Sequence, residues 1–509
     1  MKKIIYTGII ALMTISCSDS FLELAPESYT NSSGFYKTES HFEMAVTGTY
    51  ESLRSITNDR GRWLLTDQRS DNAHYDYYAA NRGTGSAVSL EHIADFIDEE
   101  DNRHANNFYY NCYEGISRAN TILDRIEGVE LDADFEASVT GEAKFLRAFF
   151  YFDLVRLYGG VPLYLNEVQT ADEAFLPRAS VEEVYAHIES DLTDAISKLD
   201  APSFPQDGRA TQGAARMLLA KVLMTKPSRD FAGAETQLRE IMTMGYDLLP
   251  DYTDIYDPAN KNHRESIFEV QYQEGDQGQE SNFAYRFFPK TGNDVLVTGL
   301  GSNILTRGGW NMPTQEMVDS YEDGDERLAK SIAVAVGSAD GNGMIVIEDV
   351  LNPKDAAIDN YQLKRYFVKK YLHPHSKPYN MDENWPLYRY ADALLMLSEC
   401  LLEQSKGDQG LAYLNEVRSR AGLEPVGTLT DDVIANERRH ELAFEAHRWF
   451  DLLRTDKAIE VMTAFGERTK AMYPYLQDRT YDISLDKLLY AIPYREMQLN
   501  DELEQNPGY

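Results

Sequence analysis

Residues 438–454 read RRHELAFEAHRWFDLLR. His440-Glu441 opens the H-E-x-x-H pattern, in which two histidines four apart bind zinc and the glutamate serves as general base. Position 444 is Phe, and the second histidine is His447. On a helix, seven residues rise about 10.5 Å. Two ligands of one zinc ion each lie about 2 Å from it, so this spacing excludes a shared metal. Leu442, Ala446, Trp449, Phe450 and Leu453 instead make an apolar stripe at helical spacing. Glu445, Arg448 and Asp451 are three apart and can pair along the helix. The stretch reads as a packing helix at the end of a helical segment over 432–454.

Other chemistry-bearing motifs are weaker. His373-Pro374-His375 lacks carboxylate or cysteine partners in the sequence around it. Asp340-Gly341-Asn342-Gly343 departs from a calcium loop at its later ligand positions and suits a hairpin turn. There is no G-x-S-x-G, P-loop or dinucleotide fingerprint. No catalytic residue, metal ligand or cofactor is therefore assigned.

Two aromatic-polar clusters fit binding better. One runs from Arg62-Trp63 to Tyr78 and includes Arg69, Asp71, Asn72, Tyr75 and Tyr77. The other holds Tyr285 and Arg286, with Gly308-Gly309-Trp310 downstream. Sugars present apolar C–H faces rimmed by hydroxyls. A sugar site wants flat rings beside amides, carboxylates and guanidinium groups. The candidate ligand-binding residues are Trp63, Arg69, Asp71, Asn72, Tyr75, Tyr77, Tyr285, Arg286 and Trp310. Glycine beside Trp310 would let a ligand come close.

These clusters sit in a chain dominated by helical patterns. Glu142–Tyr158 carries Phe145, Leu146, Phe149, Phe150 and Leu154 near a period of 3.6 and stops at Gly159-Gly160. Ser180-Val-Glu-Glu is a capping box opening Val181–Leu199. Helix pairs are expected over 141–245 and 387–455, at the scale of tetratricopeptide repeats. An irregular insertion at about 251–380 interrupts them, with strand-like SIFEVQY, SIAVAVG and MIVIEDV. The fold class is thus mainly α: a tetratricopeptide-like helical-repeat scaffold with a long loop and short-strand insertion. Residues 41–509 are read as one domain.

The formal net charge of −34 excludes sequence-independent nucleic-acid binding, which needs net neutralisation of phosphates. Lys2 and Lys3 precede an apolar run too short to span a bilayer. Residues 1–16 therefore read as a signal peptide ending before Cys17, and 17–40 as a tether. The pattern resembles a lipoprotein signal, with Thr14 where leucine is usual. Lipidation at Cys17 would anchor the protein to a membrane surface. Cys112 and Cys400 lie in apolar surroundings and read as buried free thiols.

Eight segments together resemble the SusD-like (RagB/SusD) family of outer-membrane nutrient-binding lipoproteins. They are GEAKFLRAFFYFDLVRLYGGVPL (141–163), GRATQGAARMLLAKV (208–222), ESIFEVQY (265–272), NMPTQEMVDSY (311–321), YRYADALLMLSE (388–399), LNEVRSRAGL (414–423), ERRHELAFEAHRWFDLLR (437–454) and AIPYREMQLNDELEQNPGY (491–509). Ala446 departs from the family, which commonly has glycine there. Alanine suits a continuous helix. The resemblance implies four tetratricopeptide-like units and no catalysis. It implies a lipid-anchored protein facing the cell exterior, an oligosaccharide ligand, and a SusC-like TonB-dependent transporter for which the protein acts as lid. It transfers no ligand-contact residues. Two other readings stay open from the residues alone: a surface glycosidase, or a repeat-type protein-binding adaptor.

Overall fold

A computed structural model describes residues 34–79, 85–300 and 308–509. Half of the chain is helix and 8% is strand, which makes the class mainly α. The signal segment, Cys17 and most of the tether lie outside the described residues. The first helix among the described residues, α1, already begins inside the expected tether. Thr38 caps Glu39–Thr57 by accepting from the His41 amide.

Local sequence sets the helix ends. α2 is Arg103–Ile126 and α3 is Ala133–Tyr158. Asp132 caps α3, and Gly159 stops it at φ +75°, a left-handed conformation that glycine adopts without strain. The Ser180–Glu183 capping box opens α4, Val181–Lys198. α5 (Gln212–Thr225) and α6 (Phe231–Met242) complete the first run. Consecutive helices pack on one another from α1 to α6. After the insertion, α7 (Tyr390–Glu403) packs directly on α6. α8 (Gly407–Arg420) and α9 (Asp431–Glu441) then pack on α7. The helical array is continuous in space although broken in sequence. Among the described residues, no helix is long and apolar enough to cross a membrane.

The insertion leaves and rejoins the array through an antiparallel pair, Ser266–Val270 against Trp385–Arg389. The expected hairpin is present: Ile332–Ala339 pairs with Ile345–Leu351 and, on its other side, with Leu363–Val368. Two short strands matter for the site. Ala73–His74 pairs with Met312–Pro313, in register Ala73↔Pro313 and His74↔Met312.

The segment expected as one helix over 432–454 is two. α9 ends at Glu441, residues 442–446 turn, and a short helix resumes at Arg448–Arg454. Phe444 and Ala446 both have φ near +65°. Position 446 therefore demands the left-handed backbone that glycine tolerates best, the reverse of the helix argument from sequence. The single stripe does not exist as such. His440 stacks on Tyr321 at 4.3 Å, while His447 precedes the next helix without a side-chain capping bond.

The turn directs Glu441 and Glu445 inward, both with buried side chains. Arg389 donates to Glu265 at 2.7 Å, to Glu441 at 2.9 Å and to Glu445 at 2.7 Å. Lys370 reaches Glu445 at 2.7 Å, Arg327 reaches Glu441 at 3.1 Å, and Arg420 pairs with Glu441. Burial opposes the charge on Glu445, but Arg389 and Lys370 outweigh it and hold its carboxyl at about 2. Its stabilising contribution is thus complete above the ordinary glutamate value and fades as pH falls from about 4.5 to 2. Glu445→Gln leaves Lys370 and Arg389 short of a counter-charge and should cost about 3–5 kcal/mol at pH 7. In urea unfolding, the gap between variant and parent should shrink as pH drops through that window.

Candidate functional site

The Ala73–His74 and Met312–Pro313 ladder forms the floor of a cleft of about 890 Å³. Further bonds fix the same two segments together. Thr314 N–H donates to Asn72 O at 3.1 Å, Asp76 N–H to Gly309 O at 2.7 Å, and Asn311 N–H to Gln68 Oε1 at 3.0 Å. Four other elements wall the cleft. They are the short helix Gln315–Ser320, the strand around Lys364–Tyr366, the helix α10 (Ala458–Met472), and the loop Tyr473–Tyr475 that follows α10.

One wall is aromatic. The rings of Tyr77 and Tyr475 stack at 3.9 Å and 11°. Tyr473 adjoins Tyr475 at 5.4 Å, and His74 stacks on Tyr473 at 5.0 Å. Behind them, Tyr75 packs against Trp310 at 6.0 Å and donates its hydroxyl to Asp95 at 2.9 Å. Tyr77, Tyr473 and Tyr475 are half-buried, while Met472 at the rim is 61% exposed. Burial drives the His74 imidazole down to about 3, so the ring is neutral at ordinary pH. His74 Nε2 and the Tyr475 hydroxyl lie 3.2 Å apart.

The facing wall is polar, and two of its cations are paired with carboxylates. Arg365 donates to Asp76 at 2.9 Å, and Arg468 pairs with Glu316 at 2.7 Å. Gln315 links the rest: its Oε1 accepts from Tyr366 at 3.0 Å and Lys364 at 3.3 Å, and its amide donates to Asp319 at 2.9 Å. Three acids (Asp76, Glu316, Asp319) meet three bases (Lys364, Arg365, Arg468), so the lining has no net charge. Such a surface can stack an apolar ring face and offer paired donors and acceptors to hydroxyls.

Of the nine residues expected to bind ligand, Tyr75 and Tyr77 line this cleft. The other seven do not. Trp63 is fully buried, edge-on to Phe287 at 5.1 Å, with its indole N–H on Asp59 O. Arg69 is fully buried between the Phe96 and Tyr490 rings and pairs with Asp98 at 2.6 Å. Asp71 holds Arg448 at 2.8 Å and Arg439 at 3.0 Å, and Asn72 accepts from Arg439 at 2.7 Å. Tyr285 is buried against Tyr379 and bonds His375 at 2.6 Å. Arg286 pairs with Asp59. Trp310 backs Tyr75. A side chain at Gly308 would meet Phe288 O at 2.1 Å, so this glycine admits neighbouring backbone and not a ligand.

The sequence reading missed Tyr473, Tyr475, Tyr366, Gln315, Arg365 and Arg468. A signal existed in MYPY (472–475), where two tyrosines flank a proline just past a helix end. Cys112 and Cys400 are buried free thiols, as expected.

Comparison with known proteins follows the same lines. Residues 341–509 match the family model described as "SusD family", and residues 20–224 match "Starch-binding associating with outer membrane". The chain belongs to the SusD-like family. SusD-like protein P25 of Formosa agariphila is 28% identical over 100% of this chain and 99% of that protein. The solved structure of a "Laminarin binding SusD-like protein" is 26% identical, covers 93% of this chain and 100% of its own, and has a TM-score of 0.75. The fold is also that of surface glycan-binding protein A from Bacteroides thetaiotaomicron in complex with laminarihexaose. That structure has a TM-score of 0.72 and 22% identity, and the match covers 92% of this chain and 99% of that one.

The buried and lining aromatics should separate in stability measurements. Trp63→Ala empties a closed core position and should cost about 3–5 kcal/mol. Tyr475→Ala, at a half-buried loop position, should cost about 1 kcal/mol or less. Urea unfolding of both variants checks the contrast.

Proposed function

We propose that this SusD-like protein is a non-catalytic, lipid-anchored protein of the outer cell surface. It binds an oligosaccharide in the Tyr77–Tyr475 cleft and passes it, as a lid, to a SusC-like TonB-dependent transporter. The observation that carries the reading is the aromatic platform of Tyr77, Tyr475 and Tyr473 facing a polar wall across about 890 Å³. A cleft of this size falls in the range of ligand sites, about 300–1,000 Å³. The laminarin-binding relative supports the ligand class. The family description supports association with the outer membrane. Cys17 behind an apolar leader supports the anchor.

The lining acids also favour binding over hydrolysis. Asp76 is held by Arg365, Glu316 by Arg468, and Asp319 by Gln315. A glycosidase needs one carboxyl that stays protonated and another free to act as base or nucleophile. Arg365 and Arg468 are tied to carboxylates and the lining carries no net charge, which favours an uncharged sugar; Lys364, bonded only to the neutral Gln315 amide, is the lining cation without a carboxylate partner among the described residues.

Calorimetry with neutral oligosaccharides and with uronate-bearing ones of equal length tests this. The neutral series should bind at least tenfold tighter. Tyr77→Ala and Tyr475→Ala should each lose about 1.4 kcal/mol or more, equivalent to tenfold. Affinity should not vary with pH through His74 between pH 5 and 8, because that ring is neutral throughout. Binding unaffected by either tyrosine substitution would move the ligand site elsewhere. Failure of a TonB-dependent barrel to co-purify from native membranes would remove the delivery role.

A further inference from the structure

A second, smaller cleft shares no lining residue with the first. α2 presents Tyr109, Tyr113, Ile116 and Asn120 along one face, at i, i+4, i+7 and i+11, with Tyr110 beside them. The segment 162–175 and the C-terminal residues Glu496–Leu503 close the other sides. The rings are locked in place. Tyr109 and Tyr113 meet at 4.8 Å, and Tyr113 and Tyr164 meet edge-on at 5.8 Å. Two hydroxyls are already spent: Tyr113 donates to Pro162 O and Tyr164 to Ala174 O, each at 2.7 Å. What remains to offer a visitor is mainly ring surface.

Glu496 stands in this aromatic surround. Its carboxylate has no hydrogen bond or ion pair among the described residues, unlike the acids of the first cleft. Tyr109, Tyr110 and Tyr164 all feel its charge, and burial pushes its own carboxyl up. Two guanidinium groups are close by, and neither lines the cleft. Arg178 is occupied by the carbonyls of Tyr158, Gly160 and Glu504 and by Asn506. Arg495 is exposed on the neighbouring residue.

The surroundings favour a protein as the visitor. Of the eleven large apolar side chains exposed among the described residues, five are on the segment 162–175 and the helix Tyr494–Leu499 beside this cleft: Leu165, Val168, Phe175, Tyr494 and Leu499. Concentrated exposed apolar surface marks an interaction site. The cleft holds about 260 Å³, under a third of the first and below the usual range for ligand sites, so it is sized for one side chain. A carboxylate ringed by tyrosines selects a cation, through both charge and the ring faces.

We propose that the Tyr110–Tyr164–Glu496 cleft is the anchor point of a protein interface and receives an arginine or lysine side chain from the partner. The apolar rim then excludes water around that ion pair, as the margins of binding hot spots do. The proposal does not rest on the sugar cleft.

The test uses the full chain carrying a single trifluoromethyl-phenylalanine label at Phe175, read by fluorine NMR. N-acetyl-arginine amide is titrated against N-acetyl-citrulline amide, its uncharged isostere. The arginine probe should give a saturable shift with millimolar affinity, at least fivefold tighter than citrulline. Glu496→Gln should abolish that preference while leaving thermal unfolding and the fluorine signal of the free protein unchanged. Tyr164→Phe, which keeps the ring, should retain it. Equal response to both probes, a preference that survives Glu496→Gln, or no saturable shift at tens of millimolar would overturn the proposal. A saturable shift with a neutral oligosaccharide in place of arginine would overturn it in favour of a second sugar subsite.

Discussion

Glu441 and Glu445 are ionised carboxylates buried from water, and the insertion, the rejoining strand and α8 meet at them. Each needs cations brought from elsewhere in the chain. Arg389 comes from the strand that rejoins the array, Arg420 from α8, and Arg327 and Lys370 from the insertion. Removing any one leaves charge stranded in a medium that cannot solvate it. The insertion is therefore bound to the helical array by electrostatics as well as by the Ser266–Val270 and Trp385–Arg389 pair. The left-handed residues at Phe444 and Ala446 produce the turn that carries Glu445 inward.

The same turn reaches the Tyr77–Tyr475 cleft. Ala446 N–H donates to Asp67 at 2.8 Å, while Arg439 and Arg448 grip Asp71 and Asn72. Those residues immediately precede Ala73–His74, which pairs with the insertion and ends at the aromatic platform. A chain of buried polar contacts thus runs from the core network to Tyr75 and Tyr77. Polar networks of this kind favour one geometry in proportion to how fully they are satisfied, and here Asp67 Oδ1 is left without a hydrogen bond among the described residues. Here they hold the ring faces in a fixed arrangement before any ligand arrives.

Much of the frame was legible in the sequence because helix caps and stops are local. The Ser180 capping box, the Gly159 stop and the strand runs each depend on a few adjacent residues. The break after Glu441 was not legible, since neither Phe444 nor Ala446 is a residue that announces a turn. Of the candidate cleft, only Tyr75 and Tyr77 were legible, for a related reason. Aromatic and polar residues cluster both where a ligand binds and where an ion pair must be buried, and composition cannot separate the two. Trp63, Arg69 and Asp71 have the types expected at a sugar site but serve the frame. Tyr475 is far from them in sequence, and only the tertiary fold sets it against Tyr77.

The Ala73–His74 and Met312–Pro313 ladder has a consequence for how such a protein can diversify. It joins the two sides of the cleft through main-chain bonds, which depend on no particular side chain and to which even Pro313 can offer its carbonyl. The side chains that would touch a ligand hang from that ladder, from a strand and from the loop after α10, and few of them hold the core. Exchanging Tyr473, Gln315 or Arg365 would therefore alter what is recognised while the ladder keeps its register. Selection could retune the ligand one position at a time, with the cost of each trial confined to recognition and the ability to fold left intact.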